Sequence, residues 1–537
     1  MTFDSNISDK WVLVIDDMEG MRSQLRMSLS SSGFAKLHLV GNIKDALEKM
    51  AVNKYDVILC DYSLGDSTDG QQFLEYLRNN DLISHNAIFI MITAEQAYEK
   101  VVAASECAPD DYLLKPFTAG QFNARLEKLL EKQEYFEAID KAADAKNWLR
   151  VIAECNKKLP LRDKYYIELS KTKAFALMQD KRPFEAANIF REILALRPIA
   201  WAKLGLARAL AALDKKTEAQ IILRDILAEA PQFMAAYDLL SNILASTGEK
   251  HEALEILQKA REVSPGTMSR IRELSTLAVS AGKPEIAEAV MRQALQKHKY
   301  SPVREAHDYA VLSKALVDQG KAMEALSVVA DAQKTFTDEH SSVVLAATES
   351  VAHRAAGNLE QAEAALTKAM SHGDLGKLPA QTVVSLADAC FTLGREAEAT
   401  NLIRHAIQNN HEDESIKSKV HDVLVAAGKD TSEATAMIEQ STQEVIKLNN
   451  EGVRKAESGE LAEAIELLCQ AANRLPNNLQ IVGNAALVIA LDLVRNGNKP
   501  DELAKCMHYR DALINKSPNH PKLAQIDGLL KQLNTEL

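Results

Sequence analysis

One spacing constrains this chain more than any other feature. A glycine stands five residues before an alanine six times, at Gly248/Ala253, Gly282/Ala287, Gly320/Ala325, Gly357/Ala362, Gly394/Ala399 and Gly459/Ala464. Successive alanines at 186, 219, 253, 287, 325, 362 and 399 lie 33, 34, 34, 38, 37 and 37 residues apart. In four units a proline follows the alanine by twelve residues: Ala186/Pro198, Ala219/Pro231, Ala253/Pro265 and Ala464/Pro476. A fixed period in this range is the mark of stacked supersecondary units. The glycine ends a first helix where φ must be positive, the small alanine lets two helices approach, and the proline closes the second. Tyr237, Leu240, Leu244, Ala253, Leu257 and Ala260 follow helical spacing and form the expected apolar seam. Trp201, Leu204 and Gly205 open one unit, and Tyr309, Leu312 and Ser313 open another in the same way.

This pattern resembles the tetratricopeptide repeat (TPR). The resemblance implies about ten or eleven helical hairpins from near Gln133 to Pro518, stacked into a right-handed solenoid, with Pro521–Leu537 as a capping helix. Such arrays bind extended peptides or partner helices on their inner face. Asp238, Asn242, Arg272, Thr276 and Lys314 are expected there; they are mixed in sign and do not match the Lys/Asn/Arg pattern of the TPR modules that clamp a carboxy-terminal carboxylate, so that ligand is not expected. The pattern fades over 412–442, where Ser432–Ser458 reads as one long helix, and again over 479–518.

The first 130 residues read differently. Lys10–Asp17, Leu37–Val40, Tyr55–Cys60, Ala87–Ile92 and Asp111–Leu114 are short apolar runs that alternate with helical stretches. That alternation predicts a doubly wound parallel sheet of about five strands. Function in such sheets gathers at the carboxyl ends of the strands, here at Asp16, Asp17, Asp61, Thr93 and Lys115. Three converging carboxylates repel one another unless a hard dication lies between them, and Mg²⁺ prefers oxygen ligands. A lysine and a hydroxyl beside them suit a tetrahedral oxyanion, and an aspartate so placed can take up an activated phosphoryl group.

Residues 9–131 resemble the receiver domain of bacterial two-component response regulators. The resemblance implies a flavodoxin-like fold in which Asp61 is the phosphoacceptor. Asp16, Asp17, Asp61 and the Ser63 carbonyl would hold Mg²⁺, and Lys115 would contact the phosphoryl group. It also implies a Thr93 hydroxyl that moves towards the phosphate, a coupled Tyr112, a cis Lys115–Pro116 peptide and an Ala94 N–H on a phosphoryl oxygen. By the same resemblance, Ser63 and Glu95 would occupy the two variable positions that tune dephosphorylation in this family. The loop after Asp61 departs from the family: it offers Leu64–Gly65 and reaches Asp69–Gly70 one residue late. Asp66 and Asp69 read there as solvated loop acids, with a place just outside the metal's own ligands as the alternative, and Cys60 as core.

Composition narrows the function. Residues 1–118 hold 18 acids and 10 bases, and the remaining 419 hold 57 and 53, so the net charge of −12 is concentrated at the start. No basic stripe suited to a phosphate backbone is present, so direct nucleic-acid binding is not expected. The 13 histidines show no metal spacing, and no nucleophile elbow or phosphate loop occurs, so no catalytic output is expected. No apolar run approaches the ~18 residues that span a bilayer, and the six cysteines (60, 107, 155, 390, 469, 506) lie far apart, so a cytoplasmic protein with inert thiols is expected. No glycine lies between Gly120 and Gly205, and Phe122–Leu130 leads almost directly into Tyr135–Ala143, which predicts a stiff junction between a domain at 1–131 and repeats at 132–537. The expected function is that of a response regulator whose phosphorylation by a histidine kinase or phosphotransfer protein switches protein binding by the repeats. Homodimerisation is open, and the alternative is a constitutive scaffold with a vestigial receiver.

Overall fold

The computed structural model describes residues 7–64, 69–80, 82–94, 109–265, 267–298, 304–371, 378–497, 499–517 and 520–535. Gly65, Asp66, Glu95, Cys107 and Pro518 lie outside them. The expected five strands are β1 (Trp11–Ile15), β2 (Lys36–Val40), β3 (Val57–Asp61), β4 (Ile88–Thr93) and β5 (Asp111–Leu114). All pairings are parallel, in the order β2-β1-β3-β4-β5. Three helices among the described residues accompany them: α1 (Glu19–Ser31), α2 (Ile43–Met50) and α3 (Gly70–Asn79). Side-chain alternation divides the core. Val12, Val14, Leu25 and Leu29 pack on one face with Phe122 and Leu126, and Leu13, Ile15, Ala46, Phe73, Leu74 and Leu77 pack on the other. Because the chain leaves β2 at one edge and returns to β3 on the far side of β1, the order reverses between β1 and β3. That opens a crevice at their carboxyl ends.

The two helical stretches expected on either side of residue 131 are one helix, Ala119–Asp144. Thr118 and Gln121 form a capping box at its start. Its apolar stripe continues without a break from Phe122 and Leu126 in the receiver core to Phe136, Ile139 and Ala143 in the first hairpin, with Gln133 buried between. Nothing in that stripe stops a helix.

Hairpins follow from this helix to residue 516, ending in the helix Pro521–Thr535. All six repeat glycines adopt positive φ, from 71° to 88°. The matching alanines, with Ala186 and Ala219, are fully buried. Three earlier hairpins keep the same left-handed turn on Lys146, Lys181 and Asp214, five residues before Val151, Ala186 and Ala219. Gly428 adds a turn that the spacing did not reveal. The stretch read as one long helix is one, Thr431–Glu457. It serves two hairpins: Ala434 and Ile438 join one core cluster, and Val445 joins the next. Gly205 is required by packing rather than by φ, since a Cβ there would lie 2.3 Å from the Phe190 ring.

The chain folds into two compact units, residues 1–277 with 293–304, and 278–292 with 305–537. Within the second, Leu479–Asn496 has 18 residues and a mean hydropathy of 1.3, enough by length and composition to cross a membrane. It is instead the centre of the last core cluster, with Ile481, Ala485, Ile489 and Leu493 buried. Its one buried acid, Asp492, pairs with Lys499 at 3.0 Å.

Candidate functional site

The crevice between β1 and β3 brings together the predicted acids. The carboxylate oxygens of Asp16, Asp17 and Asp61 lie within 4.8 Å of one another. Asp16, just past β1, is fully buried, Asp61 ends β3 at 6% exposure, and Asp17 is exposed, so the cluster is open on one side. Lys115, following β5, reaches across the sheet: its Nζ donates to Asp61 Oδ2 at 2.9 Å and to Asp16 Oδ2 at 3.0 Å. Thr93 ends β4 with its side chain buried, and its carbonyl accepts the Lys115 N–H at 2.7 Å. The Lys115–Pro116 peptide is cis.

Charge balance follows from this packing. Burial raises the Asp61 carboxyl above the ordinary value; Lys115 opposes this, and Asp16 and Asp17 add to it. Burial works against the Lys115 ammonium, but its hydrogen bonds to Asp61 and Asp16 outweigh that and leave its pKa raised. One cation among three acids leaves the site net negative, which suits a hard dication held by oxygen. The Asp cluster could hold a metal ion of this kind.

Ser63 lies two residues past the end of β3 and is exposed, and Ala94, exposed as well, follows Thr93. Tyr112 on β5 pairs with Met91 in register and packs against the core cluster that contains α2 and α3. Asp69 differs from its expectation as a solvated acid: it is half-buried and accepts the Tyr62 hydroxyl at 3.1 Å. Cys60 is buried as expected, and burial pushes its thiol pKa up. Burial likewise lifts Cys155 to about 12 and Cys390 and Cys506 to about 11, in keeping with inert thiols.

Two residues escaped the sequence reading. Arg22 on α1 donates to the carbonyls of Asp16 at 2.7 Å and Asp17 at 3.0 Å, fixing the strand end that presents both acids. Its distance from Asp16 in sequence is the only signal, and it is a weak one. Gly70 opens α3 so close to the site that a Cβ would lie 2.5 Å from the Asp61 carbonyl oxygen and 2.8 Å from Met91 Sδ.

The groove residues are divided. Asp238 is paired with Arg270, Lys314 lies 3.7 Å from Asp388, Asn242 is exposed, and Arg272 and Thr276 are half-buried.

Residues 12–127 match the family described as the response regulator receiver domain. The chemotaxis protein CheY-3 of Vibrio cholerae serotype O1 is 26% identical over 121 residues, 22% of this chain and 92% of that protein. Response regulator MprA of Mycobacterium ulcerans is 31% identical over 134 residues, 25% of this chain and 55% of that protein. Among solved structures, the receiver domain of Francisella response regulator 1452 is 27% identical, covers 23% of this chain and 98% of its own, and has a TM-score of 0.21. A tetratricopeptide repeat protein from Parabacteroides merdae covers 48% of this chain and 98% of its own at 13% identity and a TM-score of 0.36. With three acids and a bridging lysine at the carboxyl edge of a β2-β1-β3-β4-β5 sheet, and the family match over the same residues, the N-terminal domain of this chain is a response regulator receiver domain.

Proposed function

We propose that this protein is a two-component response regulator whose output is protein binding by its helical hairpins, acting in the cytoplasm. The observation that carries the reading is the Lys115 Nζ held between Asp16 and Asp61 in a cluster of three carboxylates. Asp61 Oδ attacks the phosphorus of a phosphohistidine on a kinase or phosphotransfer protein. The P–N bond breaks, the imidazole leaves with the bonding pair, and an aspartyl phosphate remains. Asp16, Asp17, Asp61 and the Ser63 carbonyl would hold Mg²⁺, which supplies the charge that lets an anionic donor approach. Lys115 then exchanges its bond to Asp61 for one to a phosphoryl oxygen. Thr93 and Tyr112, on the strands between the site and the last helix of the domain, would carry the change outward.

The test is phosphorylation of the full chain by acetyl phosphate with Mg²⁺, followed on phosphate-affinity gels. The wild type should shift and Asp61→Ala should not. Capture of partners with and without beryllofluoride then reads the output. Enrichment in one state only, absent in Asp61→Ala, supports gated binding. Equal capture in every condition would make the array a constitutive scaffold.

A further inference from the structure

Several lysines late in the chain stand beside an acid. Lys455 pairs with Glu460 and Glu463, Lys499 with Asp492 at 3.0 Å, and Lys505 with Glu502 at 3.2 Å. Lys522, in the first turn of the helix Pro521–Thr535, breaks this pattern. It is half-buried, and its stem lies over Gly483 of the helix Leu479–Asn496. A Cβ at that glycine would stand 3.0 Å from Lys522 Cδ and 3.1 Å from His520 Cε1, so a bare backbone is what lets both side chains come so close. Among the described residues no carboxylate pairs with Lys522; burial is the one cause that moves its pKa, down to about 8.

Only neutral groups hold the head of this lysine. Its Nζ donates to Asn484 Oδ1, and to the Gln480 carbonyl at 3.4 Å. An ammonium can only donate, so Asn484 must give Lys522 its oxygen and turn its amide nitrogen elsewhere. That nitrogen donates at 2.7 Å to Oδ1 of Asn449, on the helix Thr431–Glu457. Asn449 is therefore left with Nδ2, a donor that meets no acceptor among the described residues. Both asparagines are 7% exposed. The lysine thus orders a chain of hydrogen bonds across three helices, and both ends of that chain are donors. His520 brings no charge of its own, since burial holds it down to about 4.

We propose that Lys522, with the Asn484–Asn449 pair behind it, is a binding site for a carboxylate, supplied by an acidic side chain or a free carboxyl terminus of a peptide. An ammonium stripped of part of its water, and a buried amide with an unused N–H, each keep a desolvation penalty until an anion meets them. The charge selects the ligand: one cation balances one carboxylate, whereas a phosphate dianion would leave surplus negative charge against a half-buried wall. Gly483 seats the lysine stem and Asn484 fixes its head, so the cation is positioned before any ligand arrives. The site is independent of Asp61 and of the phosphorylation reading above.

Lysine acylation of the full chain at pH 7.5, with a succinimidyl ester and mass spectrometry of the peptides, tests the site without any phosphodonor. A carboxylate seated on Lys522 raises its pKa and withdraws the free amine, so sodium acetate should slow its labelling at least about threefold against sodium chloride of equal ionic strength. Lys505, already paired with Glu502, should label equally in both. A blocked tripeptide with a central glutamate, and its glutamine counterpart with a free carboxyl terminus, then separate the two sources; protection by either supports the site and names the source. Asn484→Asp, nearly isosteric, supplies an acid from within: Lys522 should label more slowly with no ligand present, and acetate should add nothing. Asn449→Ala removes the second donor and should weaken the acetate effect. If either variant fails to fold, the comparison of acetate with chloride in the wild type decides. Equal labelling of Lys522 in the two salts, stronger protection by phosphate than by acetate, or an undiminished acetate effect in Asn484→Asp would overturn the proposal.

Discussion

Replacing Asp61 with asparagine should stabilise the receiver in the absence of metal. The opposing charges at this site nearly cancel. Lys115 Nζ at 2.9 Å attracts an ionised Asp61 by ~6 kcal/mol at an effective dielectric near 20, and Asp16, within 4.8 Å, repels it by ~3.5 kcal/mol. Asp17 is exposed, so solvent reduces its share to roughly 1 kcal/mol. The balance favours the charge by only ~1–2 kcal/mol, and burying a carboxylate at 6% exposure costs at least that much. The direction of the Asp61 shift, upward with burial as its largest cause, gives the sign. A raised carboxyl pKa means the folded state holds its proton longer than the unfolded chain does, so stability falls as pH rises through the window above the ordinary value of 3.8. Asp61→Asn escapes that loss, and Lys115 keeps its 3.0 Å bond to Asp16. A gain of ~1 kcal/mol is expected at pH 7.5, read in EDTA as about fivefold slower exchange of the β1 and β3 amides. The gain should fade towards pH 3.5. Mg²⁺ at ten times its dissociation constant should add ~1.4 kcal/mol to the wild type and much less to the variant. Equal or faster exchange in the variant without metal would refute the charge argument.

Other outcomes follow from the same packing. Gly70→Ala places a Cβ 2.5 Å from a backbone oxygen that cannot yield, so it should cost ~1–3 kcal/mol of receiver stability and slow labelling of Asp61 by acetyl phosphate. Gly205→Ala should destabilise the first helical unit by a similar ~1–3 kcal/mol, and Phe190→Leu should recover part of it in a double variant, read by thermal melting. Burial pushes Asp140, against Asn86, up to about 7, so its penalty grows as pH rises from about 4 to 7. Asp140→Asn should therefore melt higher than wild type at pH 8, with the difference vanishing near pH 4. Burial holds His520 down to about 4, so the last hairpin should lose stability as pH falls from 6.5 towards 4, and His520→Gln should flatten that dependence in exchange of 500–516.

Much of the architecture was legible because it rests on local rules. The carboxyl-end acids could be read because a parallel sheet presents residues at strand ends, whatever lies around them. The six repeat glycines could be read because a left-handed turn favours a residue without a Cβ. The same turn on Lys146, Lys181 and Asp214 was hidden, since side chains there tolerate the strain and leave no glycine to see. The continuity of Ala119–Asp144 was half visible: the absence of glycine predicted stiffness, but nothing in the sequence marked the polar Gln133 as buried. It is buried because Lys10 and Asn86 come to it from elsewhere in the chain.

By itself the sequence determined the strand and hairpin pattern, the three acids and the lysine, because spacing and residue type decide these within a few turns of chain. Tertiary structure alone decided which groups meet away from their own stretch of chain: Arg22 on the strand-end carbonyls, Gly70 against Asp61, and Arg270 on Asp238. No periodicity encodes such encounters. They depend on how far burial strips water from each charge, which is known only once the helices are packed.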